Sequence, residues 1–171
     1  WERLGAEVTG VDISDESIRM AKLLTKKLGM KARFIRSDIF DIKQHLNRKF
    51  DIVFTSYGAL NWLADLNRWA AIISDFLKPG GLFYIVDFHP LMCALHSEVF
   101  EVNSYFEKKP FVNDVSGTYT DGEVSRNENK HIEWQHTMGE IITSLAKNKL
   151  IIKQVNEFPY QVYNCFPGMV E

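Results

Sequence analysis

Apolar and polar positions change period several times along the chain. Residues 6–12 are mostly apolar and end in an acid, which predicts a strand. Ser14 is placed to cap a helix in which Ile18, Ala21, Leu24 and Leu28 fall at helical spacing, with Gly29 as its stop. Lys31 to Ser37 predicts a second strand ending at Asp38. Phe50-Asp51-Ile52-Val53-Phe54 predicts a third, apolar enough to be buried on both faces. Leu66, Trp69, Ala70, Ile73, Phe76 and Leu77 form one helical stripe, which Pro79-Gly80-Gly81 ends in a turn. Leu82 to Val86 predicts a fourth strand, closed by Asp87. Strands alternating with helices in this rhythm predict an α/β fold with a parallel sheet and helices on both faces.

Beyond Asp87 the pattern changes. A short helical segment is expected after Phe88-His89-Pro90, through about Ser97. Residues 99–136 are aromatic, polar and hairpin-like, with Asp121-Gly122 as a turn signal. They read as a strand-and-loop insertion after the strand at 82–86, either a lid over a site or a plain extension of the sheet. Thr137-Met138-Gly139-Glu140 has the spacing of a capping box and opens a helix carrying Ile141, Ile142 and Leu145. Leu150-Ile151-Ile152 predicts a last strand running toward Phe158.

Composition narrows the function classes. A chain of 171 residues suits a single domain, 46% hydrophobic and 25% charged. A formal net charge of −2 gives no electrostatic footprint for nucleic acid, and residues 99–136 lack a basic stripe with interleaved aromatics. No apolar run approaches the ~20 residues that span a bilayer. Trp1 to Gly5 has no basic-then-apolar leader pattern. Cys93 and Cys165 stand alone, outside any metal-like or redox spacing, and no His, Asp and Glu group has metal-ligand spacing, so no metal is expected. Without a spanning run or a leader pattern, no membrane partner is expected and the compartment reads as cytoplasmic.

Candidate chemistry gathers at strand ends, where open α/β sheets bind ligands. A carboxylate at Asp12 can accept from both hydroxyls of a ribose, or serve only the strand-to-helix turn. His89 follows a strand end, and an imidazole is suited to proton transfer near neutral pH, which makes it a candidate base; the alternative is a capping histidine before Pro90. His136, beside Trp134, faces either a pocket or the start of the following helix. Tyr57, Trp62, Tyr105, Phe106, Tyr119 and Trp134 could flank a flat or apolar acceptor, or belong to the core. Asp87 reads more simply as a turn acid at the sheet rim.

Four segments in order carry a resemblance: Gly10-Val11-Asp12-Ile13-Ser14, Ser37-Asp38-Ile39, Phe50-Asp51-Ile52-Val53-Phe54 and Leu77-Lys78-Pro79-Gly80-Gly81. Over roughly residues 5 to 90 the chain resembles a class I S-adenosylmethionine-dependent methyltransferase of the small-molecule type, with its Rossmann-like sheet. The resemblance implies S-adenosyl-L-methionine as cofactor and a small-molecule methyl acceptor. It implies that Asp12 holds the ribose hydroxyls, Ile13 packs on adenine, and Asp38, with Ile39 beside it, accepts from the adenine amino group. Ser56, Tyr57 and Gly58 would line the methionine end. Tyr105, Trp134 and His136 become candidates for the acceptor, and His89 for the base. The Pro-Gly-Gly turn is structural in such proteins.

The glycine-rich loop of these enzymes would fall just before Trp1, and their last strand near or beyond Glu171. Residues 1–171 are therefore expected to be one methyltransferase-like domain, incomplete at both ends, which binds the cofactor poorly by itself. Two other readings stay open. A nicotinamide-dependent oxidoreductase also places an acid after its second strand, but needs no adenine-reading acid at Asp38. A methyltransferase-like interaction module would keep the fold without catalysis.

Overall fold

The computed structural model describes residues 1–94, 104–115 and 129–160, which form two compact units divided between Lys49 and Phe50. In the first unit, β1 (Thr9–Asp12) and β2 (Arg33–Arg36) pair in parallel, from Thr9 opposite Arg33 to Asp12 opposite Arg36. Helix α1 (Asp15–Lys27) connects them. Its start is fixed by Ser14, whose hydroxyl accepts from Ser17 N at 3.1 Å. Asp15 and Glu16 in the first turn and Lys26 and Lys27 in the last complement the helix dipole.

The apolar stripe of α1 is only partly used. Ile18 is buried, but Leu24 and Leu28 are exposed. Geometry explains the difference. Thirteen helical residues run about 20 Å, whereas four-residue strands run about 13 Å. The helix outruns the ribbon that would cover its last turns.

In the second unit, β3 (Phe50–Ser56) and β4 (Leu77–Val86) pair in parallel, with α2 (Leu66–Phe76) between them in sequence. Asp65 caps α2 by accepting from Arg68 N at 2.9 Å. Helix α2 buries Trp69, Ala70, Ile72 and Ile73, and Trp69 meets Phe83 edge-on at 5.5 Å. The expectation that the third strand is buried on both faces is corrected. Val53 and Phe83 are sheltered, while Ile52, Phe54, Leu82 and Tyr84 are exposed, Ile52 by 58%. Side chains alternate faces along a strand, and α2 covers one face only.

Pro79-Gly80-Gly81 makes a bulge inside β4 rather than a turn before it. The ladder joins Phe50 to Leu77 and resumes at Ile52 with Leu82. Gly81 is required there, because a Cβ would lie 2.9 Å from Lys78 O and 3.1 Å from Asp51 O.

Helix α3 (Pro90–Ala94) comes next, then an antiparallel pair, β5 (Phe111–Val115) and β6 (Asn129–Glu133), and then α4 (Met138–Lys147). The pair matches the hairpin-like reading of 99–136; Asp121-Gly122, Tyr119, His96 and Cys165 lie outside the described residues. The capping box is present: Thr137 Oγ1 accepts from Glu140 N at 3.1 Å, and Glu140 Oε2 accepts from Thr137 N at 2.9 Å. Helix α4 packs against α2, and Asn148 Nδ2 donates to Asn67 Oδ1 at 3.0 Å. The strand expected from Leu150 toward Phe158 does not form, and residues 150–158 carry no ladder. An extended segment becomes a strand only when a neighbour takes its backbone groups, and none among the described residues does.

Candidate functional site

Two acids stand at the carboxyl edge of the first unit. Asp12 is the last residue of β1, and the ladder continues through Ser37 N, which donates to Asp12 O at 2.9 Å. Asp38 comes directly after and caps the 3-10 turn Ile39–Gln44 by accepting from Phe40 N at 2.8 Å. Asp12 Oδ1 likewise accepts from Ser14 N at 2.8 Å. Each carboxylate thus spends one oxygen on its own turn, and the other has no partner among the described residues. Both acids are exposed. Ile13, beside Asp12, is 62% exposed, and Arg36 Nε donates to its carbonyl at 3.2 Å. Ile39 is half-buried.

The second unit has its own strand-end site. After Ser56 the chain leaves β3 through two residues in the left-handed region, Tyr57 at φ 33° and Gly58 at φ 70°. For a tyrosine this is strained backbone, which persists only where its surroundings hold it. Asp87, at the end of β4, supplies the hold. Its carboxylate accepts from Gly58 N at 2.6 Å, Ala59 N at 3.2 Å, Leu60 N at 3.1 Å and Phe88 N at 2.8 Å. Asp87 is therefore a positioning residue for the bend, more than the rim acid its sequence context suggested.

A cavity of about 510 Å³ opens beside this bend. Tyr57, Gly58, Asn61 and Trp62 line it from the exit of β3, and Asp87, Phe88, Pro90 and Met92 from the exit of β4. Glu133, at the end of β6, and Trp134, Gln135 and His136, between β6 and α4, complete that wall with Ile141. Trp134 N donates to Asn61 O at 2.8 Å and so fastens the two sides together.

The sequence candidates divide here. Tyr57, Gly58, Trp134 and His136 meet at the cavity. His136 Nε2 donates to Leu63 O at 2.7 Å, so its Nδ1 carries the lone pair in the neutral ring. Tyr105 is not part of the lining: its hydroxyl accepts from Met138 N at 2.7 Å at the start of α4. His89 is not part of it either. Its Nδ1 accepts from Leu91 N at 3.1 Å, and its Nε2 lies 2.5 Å from Glu157 Oε1. That is the capping role before Pro90, with both ring nitrogens engaged.

Asn61, Glu133 and Gln135 are lining residues that sequence reasoning missed. The only signal for the last two was their place beside Trp134, immediately before the capping box. Among the described residues no group of three His, Cys, Asp or Glu side chains could hold a metal, and no helix is long and apolar enough to cross a membrane.

The sequence model of the family described as "Methyltransferase domain" matches residues 2–149. The chain belongs to that family. A solved S-adenosylmethionine-dependent methyltransferase from Clostridium acetobutylicum ATCC 824 superposes on this methyltransferase domain with a TM-score of 0.63 at 21% identity, covering 87% of this chain and 66% of that one. At that identity the likeness shows the shared Rossmann-like α/β fold. A ubiquinone biosynthesis O-methyltransferase of Chelativorans sp. (strain BNC1) is 29% identical over 93 residues, 54% of this chain and 36% of its own. One of the same name from Brucella anthropi is 30% identical over 83 residues, 48% of this chain and 33% of its own. The methyltransferase domain described here thus spans about a third of the length of the curated relatives it matches. The matched family is one of methyltransferase domains, which counts against a nicotinamide-dependent oxidoreductase.

Proposed function

We propose that the protein transfers a methyl group from S-adenosyl-L-methionine to a small-molecule acceptor. The observation that carries this reading is the pair of acids at the carboxyl edge of the β1–β2 ribbon, each with one uncommitted carboxylate oxygen. Adenosine offers matching donors: two ribose hydroxyls for Asp12 and an exocyclic amine for Asp38. The exposed side chain of Ile13 suits the face of adenine, and Ile39 suits its edge. Ser56, Tyr57 and Gly58, at the strained exit of β3, are assigned to the methionine end.

When bound, the cofactor supplies an activated methyl group on a good leaving group. What remains for the protein is to bind, orient and exclude water. The Asp87 clamp keeps the β3 exit in a single conformation for that purpose. On the acceptor side we assign Trp134 and His136. His89 and Tyr105 receive no role in transfer, since their polar atoms are spent on Leu91, Glu157 and Met138.

The test is calorimetric titration of the intact protein with S-adenosylhomocysteine, for wild type and Asp12→Ala. Losing hydrogen bonds to a charged acceptor weakens binding by about 1–3 kcal/mol. An unchanged affinity would refute the ribose assignment. No binding by the wild type would favour the interaction-module reading.

A further inference from the structure

The cavity wall between β6 and α4 is tied down residue by residue. Trp134 N donates to Asn61 O at 2.8 Å, and two residues further along both segments His136 Nε2 donates to Leu63 O at 2.7 Å. Between them Gln135 Nε2 donates to Pro90 O at 2.9 Å, and Thr137 then caps α4. His136 is thereby held in one place and one tautomer. A carbonyl can only accept, so Nε2 carries the proton and Nδ1 the lone pair of the neutral ring. Nδ1 has no partner among the described residues. His136 lines the cavity and Leu63 does not. The tie therefore takes Nε2 out of the lining and leaves Nδ1 as the polar atom the ring offers there.

The other titratable groups compete poorly for a proton. Asp87, from the exit of β4, already accepts from four backbone N–H groups. His89, the base the sequence suggested, has both ring nitrogens engaged outside the cavity. Tyr57 from the exit of β3 and Glu133 from β6 complete the titratable lining. An imidazole is suited to taking a proton near neutral pH; a phenol holds its own there, and a carboxylate is the weaker base. We infer, on the methyl-transfer reading above, that His136 is the catalytic base and that its Nδ1 takes the proton of a phenolic hydroxyl on the methyl acceptor. The acceptor class follows from base strength. A neutral amine attacks with a lone pair it already has, and a thiol ionises near neutrality unaided. An aliphatic alcohol is too weak an acid to yield its proton to an imidazole. A phenol lies between: protonated at neutral pH, yet within an imidazole's reach. Leu60, Trp62, Phe88, Met92 and Ile141 give its apolar body a matching lining, in a volume of about 510 Å³. In the step, the O–H bond breaks and its proton goes to Nδ1. The freed electron pair forms the O–C bond as the C–S bond breaks, that pair staying on sulfur. Nδ1 then gives the proton to solvent.

The experiment measures methyl transfer by the intact protein from S-adenosyl-L-methionine to two probes of similar shape. One is 4-methylphenol, which needs a base; the other is 4-nitrophenol, which ionises near neutral pH by itself. His136→Gln keeps a donor for Leu63 O and removes the base. It is expected to lose about a hundredfold in rate with 4-methylphenol and less than about tenfold with 4-nitrophenol. Equal losses on both probes would mark a structural role and overturn the proposal. The selective loss appearing in Glu133→Gln and not in His136→Gln would give the proton to the carboxylate and overturn it too. So would a tenfold loss of S-adenosylhomocysteine affinity in His136→Gln, by giving the residue to the cofactor. A wild type that binds S-adenosylhomocysteine but methylates neither phenol also overturns it. Failure of S-adenosylhomocysteine to bind the wild type would instead sink the methyl-transfer reading itself. Wild type alone supplies a second measurement should the variant fail to fold. Its rate with 4-methylphenol is expected to level off well below the pH at which that phenol ionises by itself; a steady climb up to that pH overturns the proposal.

Discussion

Asp87 shows how one side chain can organise a site through the backbone. Its two oxygens serve four backbone N–H groups, three of them in the bend after β3. Tyr57 sits at φ 33° in that bend, a conformation a tyrosine does not hold without help. Asp87→Ala leaves partly buried N–H groups unpaired. It is expected to destabilise the protein by about 2–4 kcal/mol in urea unfolding, at the upper end for a single substitution. A loss below ~1 kcal/mol would mean that other contacts hold the bend. This role was invisible in the sequence, where Asp87 looked like many acids at strand ends. What distinguishes it is the approach of Gly58 to Leu60, about thirty residues earlier in the chain, and no local pattern records that. The turn contacts of Asp12 and Asp38 are local by contrast, since Ser14 N and Phe40 N lie two residues away.

At the scale of elements the same division recurs. The start of α4 was readable from four letters, because a capping box joins residues three apart. Thr137→Ala is expected to cost about 1 kcal/mol in thermal or chemical unfolding. Glu140 adds a pH dependence. Burial opposes its charge, but the ammonium of Lys108 and the backbone N–H and hydroxyl of Thr137 outweigh burial and hold its carboxyl below the usual range. A lowered folded-state value means that this stability is fully present above the ordinary carboxylate range. It is lost as pH falls through the lowered value. Glu140→Gln keeps a side chain able to close the cap and removes the titration. The acid limb of its stability–pH curve should therefore be flatter than that of wild type; an identical limb would show that other carboxylates dominate. Elements that depend on distant partners were misread. Residues 150–158 have strand-like composition and, among the described residues, no strand beside them. Leu24 and Leu28 have helical spacing and no layer over them.

For the molecule as a whole, alternation of period was enough to reveal parallel strand pairs joined by helices, because the order of elements is written in the covalent chain. Which polar atoms converge on the cavity was not legible. Asn61 and Gln135 are brought together by the contact of Trp134 N with Asn61 O, across more than seventy positions of chain. The activity that order and convergence support has a global signature. A ligand that binds only the folded state stabilises it by about 2.7 kcal/mol at a hundredfold excess over its dissociation constant. In a protein of 150–250 residues each kcal/mol is worth about 2–4 °C. S-adenosylhomocysteine at that excess should then raise the melting temperature of the intact protein by about 5–10 °C. NADH at the same concentration should raise it less, because it shares the adenosine but carries a pyrophosphate and nicotinamide where Ser56, Tyr57 and Gly58 are assigned to an amino-acid end. Differential scanning fluorimetry reads both arms. Protection by NADH equal to that by S-adenosylhomocysteine would mean that Asp12 and Asp38 recognise adenosine in general, and the transfer chemistry would then rest on the second unit's cavity alone.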